Sequence, residues 1–195
     1  MQAGDRDAAV RTIARDGDLD RYVSALFAPG ACREHLFALY AFNVELARIG
    51  EQVSEPQLGE IRLQWWRDAL DRASGGETTG QPVADAIGFA VRECKLSRPS
   101  LASLIDARRF DVSVKVMPNT AALDDYLANT AGALFKLASE VCIAGARAAE
   151  PRALDEAVGA AGIAYGLTGL MRALPVKLSR GGVDIAEDGL LRHGT

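Results

Sequence analysis

Apolar and polar positions follow a helical period over most of the chain, most clearly between residues 36 and 71. In the first half of this stretch, residues recur at steps of three and four, so they would share one helix face. They are Leu36, Leu39, Tyr40, Asn43, Ala47, Gly50 and Ser54. Large apolar groups come first on this face, and small or polar groups follow. The pattern predicts a core helix whose face narrows along its length.

The sequence Ser54-Glu55-Pro56 interrupts this pattern. Proline lacks the backbone donor that a helix interior needs, but it fits the first turn of a new helix. A second helix is therefore predicted from Pro56, with Trp65 and Trp66 as a large structural anchor. Its predicted apolar stripe is formed by Leu58, Ile61, Trp65 and Ala69.

Helical segments with short interruptions are also predicted before and after this pair. Asp18 can cap a helix that ends near Leu26, residues 75–81 form the clearest linker, and Pro82 begins another helix. A break at residues 97–99 separates that helix from residues 101–110. Residues 110–116 alternate as an edge strand would, but they have no second strand to pair with. We interpret them as a helix end that runs into a loop.

Two long helices are predicted in the C-terminal part. Thr120 is the expected N-cap of a helix over residues 121–145, whose Ala-Gly centre suits close helix approach or a bend. A further helix should begin at Pro151 and end at Leu174, before Pro175. Glycines in a helix cost roughly 1 kcal/mol each relative to alanine, so close packing is expected to offset them. The glycines of this helix are Gly159, Gly162, Gly166 and Gly169. A last short helix is predicted at residues 185–192.

Composition supports an all-α protein and limits its function. The 195 residues suit one domain, and alanine, leucine, arginine and glutamate are abundant. A net charge of −4 without clustered basic residues argues against nucleic-acid binding. The N-terminus is acidic where a signal peptide would be basic and apolar, and no apolar run approaches the roughly 20 residues of a membrane-spanning helix. A cytoplasmic protein, soluble or peripheral to a membrane, is therefore expected.

Cysteine and histidine usage predicts no metal site. Cys32, Cys94 and Cys142 are far apart along the chain and odd in number, so buried free thiols in a reducing compartment are expected. His35 and His193 have no partners at ligand spacing, which argues against zinc.

Four segments, in order, resemble landmarks of the squalene and phytoene synthase family. They are residues 33–42, LASLIDARRFD at 101–111, YLANTAG at 126–132, and 164–172, and the final LLRHG resembles the stretch after the second catalytic motif. The resemblance implies an all-α helical bundle of the isoprenoid synthase type. Residues 1–195 would form one helical domain that corresponds to about the first two-thirds of the family fold.

The family joins two prenyl diphosphates, and it holds Mg²⁺ with aspartates four residues apart on opposite walls of an apolar cavity. In this chain the first motif matches residues 47–51, where only Glu51 keeps a carboxylate, and the basic position upstream is Val44. The second motif matches residues 169–173 followed by Lys177, where only Arg172 is retained. Arg48 and Lys177 would repel cations at the metal positions. These departures from the family motifs imply a catalytically degenerate protein that needs no cofactor.

The residues expected at the cavity by resemblance are Tyr40, Asn43, Ala47, Glu51, Tyr126, Gly132, Gly169 and Arg172. Two readings stay open for some of them: Tyr126 belongs to the cavity or to the core, and Arg172 binds an anion or forms a structural ion pair. Glu51 and Glu55, four apart, are the candidates for a displaced Mg²⁺ site that could share a helix face. Asp184 and Asp188 are interpreted as solvated residues.

Residues 58–66, LGEIRLQWW, resemble a divergent branch related to mitochondrial assembly factors for respiratory complex I. This resemblance implies a scaffold that binds an isoprenoid-like lipid or a protein partner. If the chain ends at Thr195, the side that further family helices would cover is expected to expose apolar surface, which favours dimerisation. Two alternatives are an active Mg²⁺-dependent prenyltransferase of isoprenoid or carotenoid biosynthesis and a structural helical module without a cavity.

Overall fold

The computed structural model describes residues 3–53, 55–113, 117–146 and 152–179, and all regular structure within these ranges is helical. The all-α prediction is confirmed. The elements are α1 Ala3–Gly17, α2 Leu19–Leu26, α3 Gly30–Gln52, α4 Pro56–Ser74, α5 Pro82–Cys94, α6 Arg98–Ala107, α7 Arg109–Ser113, α8 Thr120–Leu127, a π-helical turn Ala128–Gly132, α9 Ala133–Ala146 and α10 Arg152–Ser179.

Helix α3 lies at the centre of the bundle. It packs against α1, α2, α4, α5, α7 and α9, and most of its residues between 36 and 49 are buried. Phe37, Leu39, Phe42 and Leu46 are among the largest fully buried side chains of the described residues. The predicted core helix is therefore confirmed, and it begins at Gly30, directly after Pro29.

Helix α4 begins at Pro56 as predicted, but most of its predicted apolar stripe is exposed. Leu58, Ile61 and Trp65 are 50%, 65% and 41% exposed, so among the four predicted residues only Ala69 is buried. The buried face consists instead of Gly59, Leu63, Trp66, Ala69, Leu70 and Ala73. Small residues decide this choice, because Gly59 admits Val112 of α7, and Ala73 faces Gly88 of α5. Trp66 contributes the large group and packs edge-on against Phe42, with ring centroids 5.4 Å apart.

The helix starts follow local capping chemistry, with one correction. The Asp18 carboxylate accepts a hydrogen bond from the Arg21 amide, which confirms it as the cap of α2. The cap of α8 is Asn119 rather than Thr120, because the Asn119 Oδ1 accepts from the Ala122 amide at 2.8 Å. Thr120 is the first residue of the helix. Both residue types cap helices, so the pattern left a one-residue ambiguity.

The predicted long helix of residues 121–145 is divided by the π turn, which falls where its Ala-Gly centre suggested a bend. Helix α10 packs closely on this turn: a Cβ on Gly162 would lie 2.7 Å from the Gly132 Cα, and one on Gly166 would lie 2.7 Å from the Ala131 Cβ. At Gly169 a Cβ would meet nothing within 4 Å. Close packing therefore explains Gly162 and Gly166 but not Gly169.

Helix α10 continues through Pro175 to Ser179, so the predicted end at Leu174 is wrong. Pro175 and Met171 are exposed. The Met171 carbonyl, which loses its helical partner at the proline, can therefore be hydrated. The predictions made for Ser54, Val114 to Val116, Pro151, Asp184, Asp188, residues 185–192 and His193 lie outside the described residues, as does the Lys177 side chain.

Two helical stretches are long and apolar enough to cross a membrane by length and composition, contrary to expectation. They are Thr120–Ala146, whose most apolar 18-residue window is 44% buried, and Leu154–Val176, whose corresponding window is 6% buried. The core helix of a soluble protein passes the same test. These values therefore assign neither stretch to a membrane.

The three cysteines are free thiols, as predicted, but they are not all buried. Cys32 is buried, Cys94 is half-buried and Cys142 is exposed. The Cys32 Sγ lies 3.9 Å from the Cys142 carbonyl oxygen, so the fold brings together two residues that are distant along the chain. Partial burial raises the pKa of Cys94 to about 11, and desolvation by neighbouring atoms, followed by the effect of Cys32, raises the pKa of Cys142 even though this residue is exposed as a whole. Both thiols are therefore protonated and weakly nucleophilic at neutral pH.

Candidate functional site

A cavity of about 520 Å³ lies between α2, α3, α9 and α10. Tyr40 of α3, one of the residues predicted at the cavity, is among its lining residues. The full lining is Asp20, Arg21, Ser24, Ala25, Phe27, Ala28, Leu36, Tyr40, Leu134, Phe135, Ala138, Ser139, Cys142 and Tyr165. Apolar and aromatic groups dominate this set, which is typical of sites that bind small molecules.

Arg21 is the cationic residue in this lining, and the sequence pattern did not single it out. Its guanidinium pairs with the Asp18 carboxylate at 2.5 Å, and both side chains are largely buried. The guanidinium carbon also lies 4.3 Å from the centroid of the Tyr165 ring and 5.8 Å from that of Phe135. These cation–π contacts link α2 to α9 and α10. Arg21 is therefore held in place by an ion pair and two aromatic rings.

A second polar cluster joins two other predicted residues, Asn43 and Tyr126, through Arg108. The Arg108 guanidinium donates to the Asn43 Oδ1 at 2.9 Å, to the Asp111 carboxylate at 2.9 Å and to the Tyr126 hydroxyl oxygen at 3.2 Å. The Tyr126 hydroxyl donates in turn to Asp111 at 2.8 Å. Burial lowers the pKa of Arg108, but Tyr126 and Asp111 raise it above its ordinary value. The cluster ties α3, α7 and α8 together around one charged group.

Tyr126 also borders a second, more open cavity of about 460 Å³. Its other lining residues are Ser103, Asp106, Ala107, Phe110, Ala122, Asp125 and Asn129. The phenol of Tyr126 thus contacts both a polar network and a surface cavity. Its hydroxyl is engaged by Arg108 and Asp111, so the arrangement supports a structural role for this residue.

The positions that match the first aspartate motif lie on the last turns of α3. Ala47 is half-buried and Glu51 is exposed, while Val44, at the family's basic position, is buried against Gly17 of α1. Gly50 faces α7 so closely that a Cβ there would lie 2.8 Å from the Asp111 carbonyl oxygen. Helix α7 therefore packs directly against this part of α3.

Glu51 and Glu55 do not share a helix face, contrary to the proposal for a displaced metal site. Helix α3 ends at Gln52, and Glu55 is the extended residue that precedes α4. Both side chains are exposed. Within the described ranges, no group of three or more histidine, cysteine, aspartate or glutamate side chains is arranged to hold a metal ion.

The remaining predicted residues lie on the π turn and on α10. Gly132 is buried against Gly162, whereas Gly169 is exposed. Arg172 is 74% exposed and donates to the Asp20 carboxylate at 3.2 Å, so the structural ion pair is the observed arrangement. Asp20 lines the main cavity, which places this ion pair at its rim.

The family model described as squalene/phytoene synthase matches residues 14–195. The chain belongs to the squalene/phytoene synthase family. The resemblance inferred from the sequence is thereby confirmed.

Solved members of the synthase family share this fold. The crystal structure of squalene synthase HpnC from Alicyclobacillus acidocaldarius aligns with a TM-score of 0.82 and 22% sequence identity, over 97% of this chain and 69% of that one. A dehydrosqualene synthase crystallised in complex with a ligand aligns with a TM-score of 0.82 and 16% identity, over 98% and 64% of the two chains. At these identities the comparison establishes the fold alone.

Curated relatives of this chain carry a different name. The NADH dehydrogenase (ubiquinone) complex I, assembly factor 6 of Bos taurus is 32% identical over 194 residues, which is 100% of this chain and 57% of the relative. Its counterpart in Homo sapiens is 31% identical over 93% of this chain and 53% of the relative. The chain therefore spans about half the length of the curated relatives it matches. Assembly factors of this name form the divergent branch that the sequence resembled.

Proposed function

We propose that this chain is a non-catalytic member of the synthase family that serves as an assembly-type scaffold for a respiratory NADH dehydrogenase of the complex I type. The observation that carries the proposal is the 32% identity with the assembly factor of Bos taurus over the whole chain. The match includes both segments that correspond to the aspartate motifs.

The chemistry of those two segments supports a scaffold over a prenyltransferase. A prenyl diphosphate ionises in an apolar site only when cations neutralise its leaving group. The segments instead present Ala47 and Ala173 at aspartate positions, and the basic position is taken by the buried Val44. The one carboxylate retained within the first segment, Glu51, is exposed at the end of α3. None of these groups provides the opposed carboxylates that Mg²⁺ needs.

A genetic experiment tests the scaffold role. Removing the coding sequence of this chain from its own organism should reduce the amount of assembled complex I on native gels, together with NADH:quinone oxidoreductase activity, and the wild-type chain should restore both. Unchanged complex I in the deletion strain would rule out the proposal. Phe42→Ala removes a buried core ring and should fold poorly. It serves as the control that shows how a poorly folded chain behaves in this assay.

An active prenyltransferase is the competing function, and the same strain can distinguish it. A chain that carries both Glu51→Gln and Glu55→Gln should restore complex I fully if the protein is a scaffold. It should fail if prenyl transfer at a displaced carboxylate pair is required. Purified wild-type chain should also release no diphosphate from farnesyl or geranylgeranyl diphosphate in the presence of Mg²⁺. A cytoplasmic location, attachment to a membrane surface and a dimer stay predictions.

A further inference from the structure

Two cysteines meet where the first turn of α3 packs against the last turns of α9. Cys32 is completely buried, and its Sγ lies 3.9 Å from the carbonyl oxygen of Cys142, a residue 110 positions further along the chain. Cys142 is exposed and lines the cavity between α2, α3, α9 and α10. One thiol is therefore accessible to small molecules, and the other lies buried beside it.

Gly145 shows how closely the two helices approach at this point. It follows Cys142 by three residues, so both lie on the same face of α9. A Cβ on Gly145 would lie 2.3 Å from the Sγ of Cys32 and 3.6 Å from its Cβ. The two Cβ atoms of a disulfide are usually about 3.5–4.5 Å apart. The face of α9 that carries Cys142 is therefore within reach of a disulfide from Cys32.

The third thiol, Cys94, lies in the same region and provides an internal comparison. Partial burial raises its pKa most, and both Cys32 and Cys142 raise it further through charge interactions. The pKa of Cys142 is raised first by desolvation, then by charge interaction and a side-chain hydrogen bond with Cys32. The direct contact described for Cys32 is thus with Cys142 rather than with Cys94.

We propose that Cys32 and Cys142 form a peroxide-sensitive thiol pair that closes into an intramolecular disulfide and thereby fixes α9 to α3. This modification site goes beyond the scaffold role and does not depend on it. Without peroxide both thiols stay reduced, as expected in a reducing compartment.

The reaction needs two thiols and one molecule of hydrogen peroxide. The thiolate of the accessible Cys142 attacks one peroxide oxygen, the O–O bond breaks, and a sulfenic acid forms while the second oxygen leaves as hydroxide and takes up a proton. The sulfur of Cys32 then attacks the sulfenic sulfur, and the hydroxyl group leaves as water with the proton of the Cys32 thiol. Two thiols are oxidised by two electrons in total, and the peroxide is reduced to two molecules of water.

Mass spectrometry of the purified chain tests the pairing. Trypsin places the three cysteines in separate peptides, at residues 22–33, 93–95 and 137–147. After peroxide treatment and alkylation of the remaining thiols, peptides 22–33 and 137–147 should be joined, and peptide 93–95 should be alkylated. Dithiothreitol should separate the joined peptides. A bond to peptide 93–95, a bond between two chains, or oxidation without any joined peptide would each overturn the proposal.

Serine variants assign the bond to the two residues. Cys142→Ser changes an exposed position and should abolish the bond while the chain stays folded, as circular dichroism would show. Cys94→Ser is the matched control, and it should form the bond at the wild-type rate. Failure of folded Cys94→Ser to form the bond would contradict the pairing.

Thermal unfolding tests whether the bond fixes α9 to α3. The disulfide closes a loop of about 110 residues, which restricts the unfolded chain. Oxidation should therefore raise the midpoint of the wild type by at least about 5 °C and leave that of Cys142→Ser unchanged. An unchanged or lower midpoint in oxidised wild type would show that the bond does not hold the two helices in the described arrangement.

Discussion

Arg108 connects two residues that the sequence placed at the cavity, Asn43 and Tyr126. Its side chain is 12% exposed and its partner Asp111 is 18% exposed, so the ion pair is largely withdrawn from water. Removing one partner of such a pair leaves the other charge buried without compensation. The stability of this region therefore depends on a single guanidinium.

Replacing Arg108 with methionine should lower the free energy of unfolding by about 3–5 kcal/mol, because Asp111 would lose its counter-charge. Urea denaturation followed by circular dichroism measures this loss. The matched control is Arg172→Met, which removes an ion pair of exposed side chains and should change stability little. Equal effects of the two substitutions would show that the Arg108 cluster does not contribute as described.

His35 makes stability depend on pH. Burial lowers its pKa below the usual 6.5, although Glu93 and Glu34 act in the opposite direction, and its ring lies 5.7 Å from that of Phe89. The unfolded chain therefore binds the proton more readily than the folded chain. The stabilisation is complete above about pH 6.5, where both forms are neutral, and it is lost as the pH falls through the folded pKa.

We therefore expect His35→Gln to lose less stability than the wild type between about pH 7 and pH 5. Urea midpoints measured for both proteins across this range provide the comparison, since the carboxylates common to both contribute equally. Parallel curves for the two proteins would show that His35 is not the group responsible.

For single residues, the sequence predicted which ones lie at the candidate site, but not which side chains contact each other. Tyr40, Asn43 and Tyr126 stood out by helical spacing and resemblance, and the structure places them at a cavity or in a polar cluster. Arg21 and Arg108 did not stand out, because the partners that link them to other helices, Tyr165 and Asn43, are distant along the chain. A local pattern carries no information about such contacts.

Among the helices, the packing of α10 on the π turn offers a direct test with matched glycines. Gly162→Ala would place a Cβ 2.7 Å from backbone of Gly132, which cannot move aside as a flexible side chain could. Gly169→Ala meets nothing within 4 Å and removes the entropic cost of glycine in a helix. We expect Gly169→Ala to stabilise by up to about 1 kcal/mol and Gly162→Ala to destabilise.

Thermal and urea unfolding of the two glycine variants would measure these opposite signs. Stabilisation by both substitutions would mean that α10 lies farther from the π turn than described.

Two large apolar residues, one on the buried and one on the exposed face of α4, provide a second matched pair of substitutions. Leu63 is 1% exposed and Ile61 is 65% exposed, although both are large apolar residues of the same helix. Leu63→Ala should cost about 2–5 kcal/mol through lost burial and a cavity. Ile61→Ala should change stability by no more than about 0.5 kcal/mol. Chemical denaturation measures both losses of stability. If the face predicted from the sequence pattern were the buried one, Ile61→Ala would be the more destabilising substitution and Leu63→Ala the milder one.

Helix starts were predictable where a local cap or proline sets them, as at Asp18, Pro56 and Pro82. The buried face of α4 was not, because this helix carries apolar residues on more than one side. Gly59 and Ala73 settle the choice by allowing α7 and α5 to approach, and that choice depends on the neighbouring helices. The end of α10 was missed for a related reason, since an exposed proline need not stop a helix.

In the molecule as a whole, burial falls from the centre toward α10. Helix α3 is enclosed by six other helices, whereas Leu154, Leu167, Met171, Val176 and Leu178 of α10 are exposed. The synthase structures and the curated relatives are both longer than this chain. The fold class followed from composition and period, because these properties are averaged over many residues. The site did not, because it depends on a few contacts between distant segments.

The π turn between α8 and α9 has a consequence for changes of chain length. A π turn contains one residue more than an α-helical turn, so it accommodates the additional residue locally. Deleting one residue from 128–132 would restore an ordinary turn and leave Leu134, Leu137 and Val141 in the core. A deletion inside α9 would instead rotate every later residue of that helix by about 100°. Single-residue insertions and deletions accumulated during evolution should therefore be found at this turn, and a gap in an alignment of related sequences belongs there.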